Sequence, residues 1–144
     1  MTILHNLYLF SVPLEDLIMI YTLYIRSVVE TSAVVWHSSL TQGQILEIER
    51  VQKVALRIIL KGDYISYENA LKITSLPRLS DRRTQLCKTF AIKCTKNRKT
   101  GDMFPLNKNP SKIRNPEKYE VTYANTDRLA KSAIPYMQKL LNSR

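Results

Sequence analysis

Glycine occurs three times in the 144 residues, and cysteine and histidine twice each. So little glycine argues against tight-turn architectures and against loops whose bare backbone cradles a phosphate. Cys87 and Cys94 fall seven apart in one predicted helix, which separates their backbones by roughly 10 Å and prevents a mutual disulfide. Both read as reduced core residues. With His5 and His37 isolated and no CxxC motif, local spacing supplies no zinc site, and the sequence calls for no metal or other cofactor. The opening MTILHNLYLFSVP has neither the basic start nor the small-residue cleavage site of a secretory signal. An intracellular setting, nuclear or cytoplasmic, is the expectation.

Acidic side chains are also scarce: 12 Asp and Glu stand against 22 Lys and Arg, for a formal charge of +10. Nucleotidyl transfer needs paired carboxylates that hold two metal ions about 4 Å apart. The only adjacent acids, Glu15 and Asp16, sit at a predicted helix start, where they offset the positive end of the dipole. No GxSxG elbow, HExxH helix or glycine-rich phosphate loop is present. The chain is therefore expected to have no catalytic residues and not to be an enzyme on its own.

What is present is enough apolar residue, 44%, to build one domain core. The patterning predicts a mainly α fold: a small helical bundle opened by an antiparallel helix hairpin, with an irregular basic connector and a short C-terminal helix. The first helix is expected from about Glu15 to His37, after Pro13. Its stripes are Leu17, Tyr21, Tyr24, Val28, Val35 and Ile18, Ile25, Val29, Ala33, Trp36, with Arg26, Glu30 and His37 as a wet edge. Thr41 and Gln44 form a capping box for a second helix to about Leu60, with Ile45, Ile48, Val51, Ala55, Ile58 and Ile59 facing the core, and Gly62 and Asp63 ending it. Ser66 caps a short helix over Tyr67 to Ile73, and Leu76-Pro77 breaks the chain. Ser80 then caps a helix from about Asp81 to Asn97, whose apolar arc is Leu86, Cys87, Phe90, Ala91 and Cys94. Glu120 to Tyr123 alternates weakly, as a short strand would, and Ser132 with Pro135 opens a last helix through about Leu141. The expected divisions are a lead-in over 1–14, a helical bundle over 15–97, the connector over 98–118 and a C-terminal segment over 119–144. The apolar run Leu17 to Trp36 has about the length of a membrane helix, but Arg26 and Glu30 near its centre would each cost roughly 2.5 to 3.5 kcal/mol there. No membrane partner is expected.

The positive charge gathers in the back half, above all between Arg78 and Lys118, which points to a polyanionic partner, RNA or DNA, gripped through its phosphates. On the second helix Arg50, Lys53, Arg57 and Lys61 follow spacings of three, four and four, a stripe roughly 80° wide. Arg82, Lys88, Lys93 and Lys96 lie on a later helix, with Arg78, Arg98 and Lys99 near its ends. Glu49, four residues before Lys53, is placed to support a solvated face. Tyr64 and Tyr67 lie near the basic stretch, with packing favoured over base stacking. Arg83 turns toward the apolar arc, and an ion pair with Asp81 or Glu68 is expected.

The order of residues carries a resemblance. Asp16-Leu17, Ile20-Tyr21, Tyr24-Ile25-Arg26, Glu30 and Val35-Trp36-His37 are followed by Ile48-Glu49-Arg50-Val51-Gln52-Lys53 and Ala55-Leu56-Arg57-Ile58-Ile59. Then come Leu76-Pro77, Leu79, Arg82-Arg83 and Leu86-Cys87, and finally Asp127-Arg128, Lys131-Ser132, Ile134-Pro135-Tyr136 and Leu140-Leu141-Asn142. This series resembles the region after the palm in reverse transcriptases of non-LTR, LINE-type (jockey-like) retrotransposons, over about residues 7 to 144. Single matches are loose; their order is more specific. The resemblance implies a thumb and C-terminal region that binds the template and primer backbone, cut off from the palm, its metal-binding aspartates and the endonuclease. Polymerase activity would belong to the family and not to this chain. Other readings stay open: a protein-interaction or dimerisation module working through the first helix, or a decayed retroelement copy without function.

Overall fold

The structure, a computed structural model, describes residues 4, 6, 7, 10, 12–108 and 118–143. In chain order its helices are α1 (Leu14–Ile20), a π-helical segment (Tyr21–Arg26), α2 (Ser27–Glu30), α3 (Ala33–Trp36), α4 (Gln42–Leu60), α5 (Tyr67–Thr74), α6 (Leu79–Lys96), α7 (Asp127–Ala130) and α8 (Ala133–Asn142). The fold is mainly α, and no strand occurs among the described residues. The chain divides into two compact units: Met1–Thr31 with Thr41–Arg82, and Ser32–Leu40 with Arg83–Arg144.

In the first unit α1 packs on α4, burying Leu17, Tyr21, Ala55 and Ile59 together with Leu4. The single helix expected over 15–37 is instead a broken series. Tyr21 to Arg26 winds as a π-helix, Thr31 ends α2, and Ser32 adopts φ 53°, a left-handed conformation that stops helical propagation. The wider π winding also shifts the apolar phase. Ile20 and Ile25, five residues apart, both pack on the core, while Tyr24 and Val28 of the expected stripe are exposed at 70% and 72%. Arg26 and Glu30 are largely buried side chains and not a wet edge, because they pair at 3.7 Å.

The capping box of α4 forms: Thr41 accepts from the Gln44 amide and Gln44 returns a bond to the Thr41 amide. Lys61, at φ 40°, ends the helix where Gly62 was expected to. Leu56, Leu60 and Ala70 join α4 to α5, whose Ser66 cap binds the Asn69 amide. Two polar residues lie inside this unit. Gln52 is fully buried, accepting from the Tyr21 hydroxyl at 3.0 Å and donating to the Pro77 carbonyl at 2.9 Å. Burial first, with Glu49 and Glu30 adding and Arg26 opposing, pushes the Tyr21 hydroxyl pKa well up, so it stays a donor.

In the second unit Ala91, Cys94, Phe104 and Met137 form a core with Val34, Tyr119, Ala133 and Leu141 around it. Phe90, expected in the buried arc of α6, is 44% exposed, whereas Cys87, Ala91 and Cys94 are buried as expected. The short strand expected over Glu120 to Tyr123 does not form. Leu106 and Tyr119 make one isolated antiparallel bridge, the Glu120 amide donates to the Pro105 carbonyl, and the Thr122 amide donates to the Gln138 side chain. The last helix, α8, opens after Ser132 as its pattern predicts. Residues 109–117 of the expected connector lie outside the described residues.

No single helix among the described residues is long and apolar enough to cross a membrane. Leu14–Glu30 and Ala33–Ser39 pass that test of length and composition only together, as a broken pair.

Candidate nucleic-acid interface

The first unit contains eight basic residues and eight acidic ones, whereas the second contains fourteen basic and four acidic. The whole formal excess of +10 therefore belongs to the second unit.

Within the first unit most of the expected phosphate-binding cations are engaged inside the protein. Arg50 pairs with Glu47 at 3.8 Å, both exposed. Lys53 is half-buried with its ammonium 5.1 Å from the centre of the Tyr67 ring, and the Arg57 guanidinium lies 5.4 Å from that of Tyr64. Both tyrosines thus serve packing. Arg78 pairs with Glu68, and Arg82 donates from Nε to Glu30 at 3.3 Å. Lys61 is exposed at the end of α4. The α4 stripe exists, but acids and aromatic faces answer much of it.

Glu49, expected on the solvated side beside Lys53, is instead buried at the centre of the first unit. Its carboxylate accepts from the Leu79 amide at 3.1 Å, the Ser80 amide at 3.2 Å and the Tyr67 hydroxyl. It caps α6 from a different helix, which is why α6 starts at Leu79 and not after Ser80. An anion at the first turn of α6 is also favoured by the helix dipole. Burial, and then the bond to Glu49, raises the Tyr67 pKa well beyond the usual phenol range. The signal was available: Glu49 and Gln52 fall on the same helical arc as Leu56 and Ile59.

The second unit presents its charge differently. Lys88 is half-buried and donates to the Ser143 carbonyl at 3.1 Å. Lys93, Lys96, Arg98 and Lys99 are exposed, and none has an acidic partner among the described residues. They occupy the last turn of α6 and the turn after it, where cations also suit the negative end of the dipole.

Arg83 is fully buried in this unit. Its Nε lies 3.4 Å from His37 Nδ1 and its guanidinium lies 5.8 Å from the Trp36 ring centre, while Glu68, one of its expected partners, is engaged by Arg78. His37, expected at a wet edge, is buried between Arg83, the Thr84 hydroxyl at 3.2 Å and the edge of Tyr136. Burial, and then the charge on Arg83, lowers its pKa and keeps the ring neutral. Burial likewise pushes the Cys87 thiol up, against the opposing charge of Arg83, so it is a poor nucleophile.

Among the described residues no group of three or more His, Cys, Asp or Glu converges as metal ligands would. Glu15 and Asp16 are exposed in the first turn of α1. Compared with known proteins, the chain matches no protein-family model, no curated protein and no solved structure.

Proposed function

We propose that the chain is a non-catalytic nucleic-acid-binding module that holds the phosphate backbone of a template and primer, as a thumb-like piece of a retroelement RNA-directed DNA polymerase. The observation that carries the binding half is the charge division: the second unit holds the entire excess, and Lys93, Lys96, Arg98 and Lys99 are exposed with no acidic partner among the described residues. Phosphates are the ligand chemistry such a cluster suits, since each one neutralised releases counterions. The retroelement half rests on the sequence resemblance alone.

The test is retention of a labelled RNA–DNA hybrid across a salt series. Charge reversal of Lys93 and Lys96 together should weaken binding about tenfold or more and flatten the salt slope, each lost duplex phosphate contact removing about 0.9 of a log unit. Reversal of Arg78 and Arg82, already paired with acids, should do less. Equal effects from the two pairs, or binding indifferent to salt, would count against the assignment.

A second reading has its own observation. Met19, Leu23, Tyr24 and Val28 are exposed along α1, the π segment and α2, an apolar patch of the kind that self-associating proteins cover. Leu23→Asp with Val28→Asp should shift the sedimentation profile to smaller species if this face pairs two copies. An unchanged profile rejects pairing through it.

A further inference from the structure

The second unit contains a cavity of about 590 Å³, within the size range of small-molecule sites. It is lined from the end of α6 by Thr95, from the 3₁₀ turn by Gly101 and Asp102, and by Leu106 and Tyr119 of the isolated bridge. Its lining has a distinct chemistry. Asp102 brings a carboxylate, Lys118 an ammonium, and Tyr119 and Phe104 bring aromatic surface. Asp102 and Lys118 form no ion pair with each other, and Asp102 has no cationic partner among the described residues. An anion and a cation are therefore held on the walls of one cavity without neutralising each other.

The walls are fixed from behind by side chains of α8. Gln138, 1% exposed, donates to the Met103 carbonyl at 2.8 Å, beside the lining residues Asp102 and Phe104, and accepts from the Thr122 amide at 2.7 Å, so one amide links the 3₁₀ turn to the segment after Tyr119. Asn142 accepts from the Tyr119 amide and donates to its carbonyl, each at 2.9 Å. Side-chain amides spent in this way on backbone groups preorganise a site.

We propose that this cavity takes one unstacked guanine nucleotide of a single-stranded nucleic acid. The guanine Watson–Crick edge presents two neighbouring N–H donors, which a carboxylate accepts together, and Asp102 supplies that carboxylate. Tyr119 supplies a face for stacking, as single-strand binders do. Its ring now carries the Lys118 ammonium at 5.6 Å. An exposed ammonium on a ring is held less strongly than a stacked base, so Lys118 yields the ring and turns to the nucleotide's phosphate. The surrounding excess of cations draws a polyanion to this end of the unit. Uracil offers only one N–H donor on that edge, flanked by two carbonyl acceptors that face Asp102 unfavourably. The proposal rests on the nucleic-acid reading above and deepens it from backbone to base.

The test compares fluorescently labelled nine-residue RNAs by anisotropy: all-uridine, and the same strand with a single central guanosine. The guanosine strand should bind about tenfold tighter, the discrimination of one good bidentate contact. Asp102→Asn should bring the two affinities together, and Lys118→Ala should weaken both strands. Asp102 is exposed, so its replacement should leave the melting temperature in place. Salt-sensitive binding with no guanosine preference would overturn the cavity assignment and leave backbone binding standing, as would a preference that survives Asp102→Asn. If the all-uridine strand fails to bind while free guanosine monophosphate still perturbs Tyr119, the backbone reading fails and the cavity assignment stands.

Discussion

The two units solve the problem of buried polarity in opposite ways. The first is neutral overall and is organised around a carboxylate, Glu49, with four of its arginines answered by Glu30, Glu47 and Glu68. The second carries all of the net charge; it buries a cation, Arg83, against the unprotonated ring of His37, and its loops are tied by the neutral amides of Gln138 and Asn142. Charge spent on internal order is not offered to a ligand, so the unit that is held together by amides is the one with cations to spare. Counting lysines and arginines along a helix does not reveal this; what they already touch does.

The sharpest way to break the comparison is to remove the acid at the centre of the first unit. Glu49→Leu leaves two backbone donors at the start of α6 and the Tyr67 hydroxyl without their acceptor, and unsatisfied buried groups cost about 1 to 3 kcal/mol each before relaxation. A loss of about 3 kcal/mol in urea unfolding is expected, and a change under 1 kcal/mol would show that Glu49 is not the organiser. Next comes Gln138→Leu, which keeps the volume roughly but strands the Met103 carbonyl and the Thr122 amide. About 2 kcal/mol should be lost, with hydrogen exchange quickening at Thr122 before it does so in α4.

The smallest effect is in pH. His37 has its folded pKa depressed below the usual imidazole value of about 6.5, so the unfolded chain binds the proton more readily. Its contribution is therefore complete above about pH 6.5 and is lost as pH falls toward the folded value. The melting temperature should decline between pH 7 and pH 5 by more in the native chain than in His37→Phe. Parallel curves would mean that the ring does not titrate in this way.

Much of the scaffold was legible in the sequence because it depends on local chemistry. Thr41 and Ser66 cap their helices through amides three residues on, α8 starts after Ser132 though without a side-chain cap, and Ala55, Ile59, Cys87 and Ala91 fall on the arcs that periodicity assigns. The failures share a cause. A pattern drawn at 3.6 residues per turn misplaced Tyr24 and Val28 because the π segment changes the step, and it cannot foresee the left-handed Ser32. Ser80 has the form of a cap in the sequence, but the acceptor at the start of α6, Glu49, comes from thirty residues away. Among the candidate binding residues, sequence placed Lys93, Lys96, Arg98 and Lys99 on the surface, but not the pairing that engages Arg78 and Arg82 or the carbonyl that holds Lys88. Those partners are set by tertiary packing.

The position of Gln138 and Asn142 in the chain has a temporal consequence. A protein is made from its first residue onward, and early segments begin to fold while later ones are still being joined. Every residue of the first unit has been added by Arg82, whereas Met103 and Thr122 must wait 35 and 16 residues for the Gln138 amide that latches them. A nascent chain paused before that point would carry a finished neutral half and an unlatched basic one.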